Sequence, residues 1–253
     1  MPAIEGAQAY AHDASTEIGV VLSHGFTGSP FSMRPWADHL VEQGYSVRVP
    51  LLPGHGTRWQ DMNRTEWPQW YGAVSSAFAE LRERCDKVFV FGLSMGGALV
   101  LRVAEEQGAD VAGVVLVNPS VMTLRKEMRF IGPLSKVVSS LKPISDDIAK
   151  PGVSEHAYPR TPLKAVHSLT HLWAQVRRDL ARVDQPLLVL HSAVDHVVEP
   201  ENSREILARV SSADKTEIVL DNSYHVATLD NDAQLIFDSS VEFVRRVVAG
   251  ERV

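Results

Sequence analysis

Residues 87–104 read KVFVFGLSMGGALVLRVA, a short apolar run followed at once by a longer helical pattern. The run at 87–92 is rich in valine and phenylalanine, which predicts a buried strand, and residues 95–107 predict a helix. The junction is Gly92-Leu93-Ser94-Met95-Gly96, a G-x-S-x-G sequence. A side chain on such a sharp turn needs glycines two residues away, because larger residues would collide there. The stretch predicts a strained turn that exposes Ser94; the alternative is a glycine turn that only packs the helix on the strand.

Short apolar runs alternate with longer helical patterns along the rest of the chain. This alternation predicts an α/β fold with a mostly parallel, doubly wound sheet and helices on both faces. The other predicted strands are at 18–23, 45–49, 113–117, 186–191 and 216–220, several of them almost continuous in Val, Ile and Leu. The other predicted helices are at 36–43, 67–84, 201–210 and 233–248. We expect residues 1–253 to form a single domain.

The connection at 119–185 is longer than a crossover between parallel strands requires. Its second part predicts a helix with Thr161 as N-cap, Pro162 as first residue and one apolar stripe, formed by Leu163, Val166, Leu169, Trp173 and Val176. Residues 121–160 contain four prolines and lack a clear period. They predict an irregular cap, inserted over the edge of the sheet where active sites lie. The alternative is a tolerated surface insertion.

Candidate partners for Ser94 follow later strands. A serine hydroxyl is a weak nucleophile unless a base accepts its proton and an acid orients that base. In folds with this strand–turn–helix motif, the chain order is Ser, then Asp or Glu after a late strand, then His in a late loop. Asp195 follows LLVLHSAV, and His225 follows TEIVLDNSY. The order predicts a catalytic triad of Ser94, Asp195 and His225.

Other acids and histidines offer alternatives to this assignment. Asp184 lies before its predicted strand rather than after it, and Asp221 is close to the candidate base in sequence, so Asp195 is favoured. His191 and His196 flank Asp195 and could suggest a metal site. No third ligand at a suitable spacing accompanies them, so we expect neither a metal nor a cofactor.

Acyl transfer also needs hydrogen-bond donors for the developing oxyanion. The amide that follows the nucleophile, that of Met95, is one candidate. The second should come from the loop after an early strand, where His24-Gly25-Phe26-Thr27-Gly28 follows VVLS, and we assign the Phe26 amide. The alternative is that HGFTG is only a glycine turn. His55, in PGHG, is expected to hold a loop near the site.

Composition narrows the class of protein. The formal net charge of −6 argues against a nucleic-acid partner, which would need a clustered basic surface. Cys85 is the only cysteine and cannot form an internal disulfide. The first residues show neither a basic nor an apolar signal-peptide region, and no apolar run approaches the ~20 residues of a membrane span. We therefore expect a cytoplasmic protein without a transmembrane segment; the oligomeric state is left undetermined.

The sequence resembles bacterial monoacylglycerol lipases and related small carboxylesterases of the α/β-hydrolase superfamily. The resemblance extends over almost the whole chain and rests on VLSHGFTGSPFSMRPWADHL, PLLPGHGT, the run WYGAVSSAFAELRERCDKVFVFGLSMGG, DHVVEP and NSYHVATLD. It implies the α/β-hydrolase fold, the same triad and the same oxyanion donors. It also implies that a small cap sorts substrates, with Ile144 and Glu155 as substrate contacts. The motif here is GLSMGG instead of the GHSMGG of many lipases, which leaves the chemistry intact.

The expected function is hydrolysis of esters with a single fatty acyl chain, most of all monoacylglycerols, through an acyl-enzyme on Ser94. The alternatives are a general short-chain carboxylesterase, a thioesterase, or a non-catalytic binding protein on the same scaffold. Ser94 excludes relatives that use an aspartate nucleophile. Apolar residues of the cap are expected to line an acyl tunnel, namely Phe130, Ile131, Leu134, Val137, Val138, Leu141 and Ile144.

Overall fold

In the computed structural model, which describes residues 4–251, nine strands and eight α-helices follow one another. The strands are β1 (Tyr10–His12), β2 (Ile18–Ser23), β3 (Ser46–Val49), β4 (Lys87–Leu93), β5 (Val111–Val117), β6 (Ser140–Leu141), β7 (Thr161–Pro162), β8 (Leu187–Ser192) and β9 (Lys215–Leu220). The helices are α1 (Arg34–Glu42), α2 (Trp59–Met62), α3 (Trp67–Arg82), α4 (Met95–Gln107), α5 (Ile131–Val137), α6 (Leu163–Asp179), α7 (Glu201–Arg209) and α8 (Ala233–Ala249).

Seven of these strands form one sheet in the order β1-β3-β2-β4-β5-β8-β9. Among the described strands of this sheet, β1 alone runs antiparallel to its neighbour. The six predicted strands all occur, and their ends differ from the predictions by at most two residues. Strand β1 was not predicted, because its three residues are polar or small and contain no apolar run. The prediction of a mostly parallel sheet is confirmed.

The two faces of the sheet carry separate apolar layers. Strand β4 shows this directly, because Val88 and Val90 pack with α3, α4 and α6, whereas Phe89 and Phe91 pack with α1 and α8. Side chains alternate between the faces of a strand, so a strand covered on both sides must be apolar at every position. The continuous run VFVF meets that requirement, and the ring of Trp36 stacks on Phe91 at 5.2 Å. Helices therefore cover both faces of the sheet.

The start of α6 differs from the prediction. Pro162, not Thr161, is the N-cap, and the Thr161 hydroxyl donates to the Lys142 carbonyl at 2.8 Å instead of capping the helix. A residue before proline is pushed towards extended backbone, and Thr161 pairs there with Leu141 across the β6–β7 ladder. The predicted apolar stripe of α6 does exist.

Residues 121–160 are more ordered than their prolines suggested. They contain a 3-10 turn at Lys126–Phe130, the helix α5 and the strand β6, so the prediction of an irregular segment is wrong for these parts. Helix α5 packs on α6 through Ile131, which contacts Leu163 and Val166. None of the helices between residues 4 and 251 is both long enough and apolar enough to cross a membrane.

Candidate active site

The turn between β4 and α4 holds Ser94 in a backbone conformation that few residues adopt, with φ 57° and ψ −120°. The Ser94 amide donates to the Val117 carbonyl at 3.0 Å, which fastens the turn to β5. A Cβ atom on Gly92 would collide with the backbone of Gly96, and one on Gly96 would collide with the Ser23 carbonyl. The two glycines are therefore required by the close approach of three backbone segments, as the G-x-S-x-G pattern indicated.

Ser94, His225 and Asp195 lie in a continuous hydrogen-bonded line. The Ser94 Oγ is 2.9 Å from His225 Nε2, and His225 Nδ1 is 2.7 Å from Asp195 Oδ2. The other carboxylate oxygen, Oδ1, accepts the amides of Val197 and Val198, both at 2.8 Å. With the Nδ1 proton donated to the carboxylate, the Nε2 lone pair faces the serine hydroxyl. This geometry suits a nucleophile, a base and an orienting acid.

Asn118 is a further residue of the site that the sequence analysis missed. It follows β5, and its Nδ2 donates to the His225 carbonyl at 2.7 Å and to the Tyr224 carbonyl at 3.2 Å. Its Oδ1 accepts the Ser192 amide at 2.7 Å, at the end of β8. The signal that could have found it was its position, a polar residue directly after a parallel strand, where sites of α/β sheets form.

The surroundings of the site shift the pKa values of the base and of the acid in opposite directions. Burial by itself lowers the pKa of His225, but the Asp195 carboxylate, followed by Glu155 and Asp147, outweighs burial and raises the pKa above its ordinary value. Burial raises the pKa of Asp195, but His225 and two backbone amides outweigh it, so the pKa lies below its ordinary value. Asp195 therefore stays charged at neutral pH and can stabilise an imidazolium.

The pH profile should report the titration of His225. A base must be neutral to accept the serine proton, so kcat/KM is expected to fall as the pH drops through the His225 pKa. Because the neighbouring carboxylates raise that pKa, we expect the acid limb at or above the ordinary histidine value of about 6.5. Rates measured from pH 4.5 to 9, with circular dichroism at each pH, test this. A flat profile in folded protein would rule out a histidine base.

The two predicted oxyanion donors lie beside Ser94. Met95 is the first residue of α4, and the first amides of a helix have no partner inside the helix. Phe26 lines the same cavity as Ser94 and Met95, in a tight turn with Thr27 at φ 60°. A Cβ on Gly25 would lie 3.3 Å from the Ser94 Cβ, so this loop passes close to the nucleophile. The Phe26 and Met95 amides thus remain our candidates for the oxyanion donors.

Two buried histidines, His24 and His55, pack against the loop that contains Gly25 and Phe26. His24 Nδ1 donates to the Gly25 carbonyl at 3.0 Å, and its Nε2 accepts the Leu52 amide at 3.3 Å. The rings of His24 and His55 meet edge to face at 5.0 Å, and His55 also packs against Trp70. Burial lowers the pKa of His55 to about 4, so it is neutral at physiological pH. His55 packs beneath the loop, where its motif suggested.

A cavity of about 610 Å³ opens directly onto Ser94 and His225. Its wall is mainly apolar, and the stripe of α6 contributes Leu163, Val166, Leu169 and Trp173. Among the residues expected to line an acyl tunnel, three do line this cavity: Ile131, Leu141 and Ile144. Three others do not line it and are exposed at the surface, namely Phe130 (56%), Leu134 (36%) and Val137 (82%). Val138 packs beside α6 instead.

Ile144 and Glu155 differ in exposure, although both line the cavity. Ile144 lies at its rim, 43% exposed, whereas Glu155 is buried. Glu155 Oε1 accepts the Asp146 amide at 3.0 Å, and Oε2 lies beside Gly28. Within residues 4–251, Oε2 accepts no hydrogen bond from the protein. Burial raises the pKa of Glu155 despite the Asp146 amide and His225.

The alternative site residues lie elsewhere. Asp184 and Asp221 are exposed, and neither contacts His225. His191 pairs with Glu217 at 3.4 Å, and His196 pairs with Asp147. Between residues 4 and 251, no three His, Cys, Asp or Glu side chains are grouped so that they could hold a metal ion.

A mostly parallel sheet with a serine on a strand–turn–helix junction, paired with a late histidine and acid, defines a serine hydrolase of the α/β-hydrolase fold. The family described as serine aminopeptidase, S33 (Hydrolase_4) matches residues 14–232, and the chain belongs to this family. The predictions of the fold and of a serine hydrolase are confirmed.

Two curated relatives and one solved structure are similar along nearly the full chain. A thermostable monoacylglycerol lipase of Bacillus sp. (strain H-257) is 41% identical, covering 96% of each chain. A carboxylesterase of Bacillus subtilis (strain 168) is 26% identical, covering 90% of this chain and 92% of its own. A structure from work on LipS and LipT, two metagenome-derived lipolytic enzymes, has a TM-score of 0.94 at 39% identity and covers 97% and 100% of the two chains. The resemblance to bacterial monoacylglycerol lipases is confirmed.

Proposed function

We propose that this enzyme hydrolyses monoacylglycerols to a fatty acid and glycerol, through an acyl-enzyme on Ser94. The observation that carries the proposal is the buried carboxylate of Glu155, whose Oε2 has no donor from the described protein and lines an apolar cavity next to Ser94 and His225. A buried acceptor without a donor in a mainly apolar site favours a ligand that brings its own donor. The relative named as a monoacylglycerol lipase supports the same substrate.

The chemistry follows from the hydrogen-bonded line of the site. His225 Nε2 accepts the proton of Ser94 as its Oγ attacks the ester carbonyl, and the amides of Phe26 and Met95 stabilise the oxyanion. The imidazolium, held by Asp195, then gives its proton to the departing glycerol oxygen, which leaves an acyl-serine. Water attacks this ester with His225 again as base, and the fatty acid is released when the Ser94 oxygen regains its proton.

The two ends of a monoacylglycerol match the two kinds of surface in the cavity. The apolar wall formed by α6 and Met128 suits one acyl chain, whose burial contributes about 0.8 kcal/mol per methylene. The glycerol end has two free hydroxyls, which need acceptors once water is excluded. We infer that Glu155 Oε2 accepts from one of them, and that Ile144 packs against this end at the rim. In a triacylglycerol, acyl chains replace both hydroxyls, so it should be a poor substrate.

Glu155→Leu should separate recognition of glycerol from the chemical step. We expect kcat/KM for a monoacylglycerol to fall roughly 10- to 100-fold, because a hydroxyl would be buried without its acceptor. A p-nitrophenyl ester of the same acyl chain lacks those hydroxyls and should lose little. Both rates are taken from the alkaline plateau of each protein's pH profile, so a change in the pKa of His225 does not affect the comparison.

Two variants complete this test. Glu155→Gln keeps an acceptor for the Asp146 amide and so controls for disorder of the loop. Glu127→Leu changes an exposed carboxylate of the same segment and should leave both rates unchanged. If Glu155→Leu lowers both activities equally, or neither, Glu155 does not recognise glycerol. A parent enzyme active only on short p-nitrophenyl esters or thioesters would instead be a general carboxylesterase or thioesterase.

We also propose that residues 121–160 form a cap on a single hydrolase domain. Their contribution of Met122, Met128 and Leu141 to the cavity wall supports this role.

A cytoplasmic location without a nucleic-acid partner is proposed on the net charge of −6 and the single cysteine.

A further inference from the structure

One carboxylate of the 121–160 segment reaches both loops that carry the base and the acid. Asp147 Oδ2 accepts the backbone amide of His225 at 3.2 Å and that of His196 at 3.1 Å. Its other oxygen, Oδ1, is 2.8 Å from the Nδ1 atom of the His196 ring. His196 is the residue after Asp195, so a single side chain bridges the turn of the acid and the loop of the base.

A second carboxylate makes the reverse connection. Asp230, in the loop that follows His225, accepts the amides of Ala149 at 2.7 Å and Lys150 at 2.9 Å. The Val226 amide also donates to the Asp147 carbonyl at 3.1 Å. Residues 147–150 and the loop at 224–230 are therefore bonded in both directions, so this part of the segment is held to the loop of the base.

We propose that Asp147 is a positioning residue for the triad. Its carboxylate holds the backbone of His225 and the turn of Asp195 at the separation that the hydrogen bonds of the triad require. The inference rests on the proposed function, since it assigns Asp147 to the same reaction. Asp147 does not touch the reacting atoms in this role, although it lies on the cavity wall.

The geometry explains why His225 needs such a support. Its imidazole must satisfy two contacts at once, 2.9 Å to Ser94 and 2.7 Å to Asp195. The loop that bears His225 is not part of a strand, so the backbone hydrogen bonds of the sheet do not fix the position of this loop. The His225 carbonyl is held by the Asn118 amide at 2.7 Å, and its N–H is held by Asp147. A backbone held at one end only could rotate and carry the ring away from one of its partners.

The charge of Asp147 also acts on the base. Three carboxylates face the imidazole, those of Asp195, Glu155 and Asp147, and all of them raise the pKa of His225. The ring of His196 is hydrogen-bonded to Asp147, and the side chains of His225 and Glu155 interact with it through charge. Removing the charge of Asp147 should therefore lower the apparent pKa of the acid limb. Substitution of a purely structural residue distant from the base would leave that pKa unchanged.

The test compares Asp147→Ala and Asp147→Asn with the parent on a monoacylglycerol and on a p-nitrophenyl ester of the same chain. Alanine removes all three bonds, and a displaced base should reduce kcat on both substrates roughly 10- to 100-fold. Labelling of Ser94 by a fluorophosphonate should slow by a similar factor. Asparagine can keep its carbonyl oxygen at the Oδ2 position, so we expect kcat within about fivefold of the parent, with a lower apparent pKa on the acid limb. Asp184→Ala, at an exposed carboxylate, should match the parent in every assay.

The possible outcomes separate this inference from the proposed function. Asp147→Ala within about twofold of the parent on both substrates would overturn it. A loss on the monoacylglycerol alone would also overturn it, because Asp147 would then be a substrate contact. If the alanine variant does not fold, an unshifted acid limb in Asp147→Asn overturns the inference. A parent that cleaves the p-nitrophenyl ester but no monoacylglycerol contradicts only the proposed substrate, because the role of Asp147 is still measured on the ester.

Discussion

Ser94→Ala is expected to lower kcat by about 10⁶-fold, the cost of losing the nucleophile of a triad. The substitution removes only Oγ, and His225 is left with no hydroxyl to deprotonate. The fold should persist, because alanine keeps the same Cβ at φ 57° and the turn is held by the flanking glycines and by the Ser94 amide bonded to Val117. Hydrolysis of a p-nitrophenyl ester over several hours gives the residual rate, and circular dichroism reports the fold.

A labelling experiment checks the same atom directly. A fluorophosphonate should attach to the parent at Ser94 and leave Ser94→Ala unlabelled, with Ser76→Ala, an exposed serine on α3, labelled like the parent. Folded Ser94→Ala protein that keeps more than a few per cent of the parent activity would rule out Ser94 as nucleophile. A parent that is neither labelled nor active would be a binding protein on a hydrolase scaffold.

The juxtaposition of Ser94, Asp195 and His225 could be predicted from sequence, because it depends on topology. Residues that follow parallel strands meet at one edge of the sheet, so Ser94 after β4 and Asp195 after β8 had to lie near each other. The contact distances could not be predicted in the same way. They depend on Asn118 and Asp147, whose bonds to the His225 loop span about a hundred and about eighty positions of sequence respectively.

In the 121–160 segment, the sequence pattern does not predict which side chains face the cavity. Its apolar composition correctly predicted an apolar cavity wall, but composition does not say which side of a short helix faces inward. In α5 the inward side carries Ile131 and Ser135, whereas Leu134 and Val137 are exposed, as is Phe130 directly before the helix. A seven-residue helix is too short for its period to be evident in the sequence, and its orientation is set by packing on α6, which is distant in sequence.

Asp195→Asn is expected to lower kcat/KM by about 10⁴-fold, although the two side chains have the same shape. The reason lies in the two oxygens of the carboxylate. Oδ1 accepts two backbone amides, so the carbonyl oxygen of asparagine must occupy that position. The amide nitrogen is then placed at the position of Oδ2, where it donates to His225 Nδ1 instead of accepting from it. The imidazole is forced to carry its proton on Nε2, which can no longer accept the proton of Ser94.

The matched controls for this substitution are Asp184→Asn and Asp221→Asn, the two exposed carboxylates that compete with Asp195 as the acid in the sequence. Both should retain parent rates, because neither side chain contacts the imidazole. The Ser94→Ala variant gives the baseline, and Asp195→Asn should stay above it, since serine and the oxyanion donors remain. If Asp195→Asn turns over within about tenfold of the parent, or if Asp184→Asn or Asp221→Asn loses activity in its place, the orienting acid is not Asp195. The imidazole would then have to be held in its tautomer by a different group, and the 2.7 Å contact of Asp195 would not contribute to catalysis.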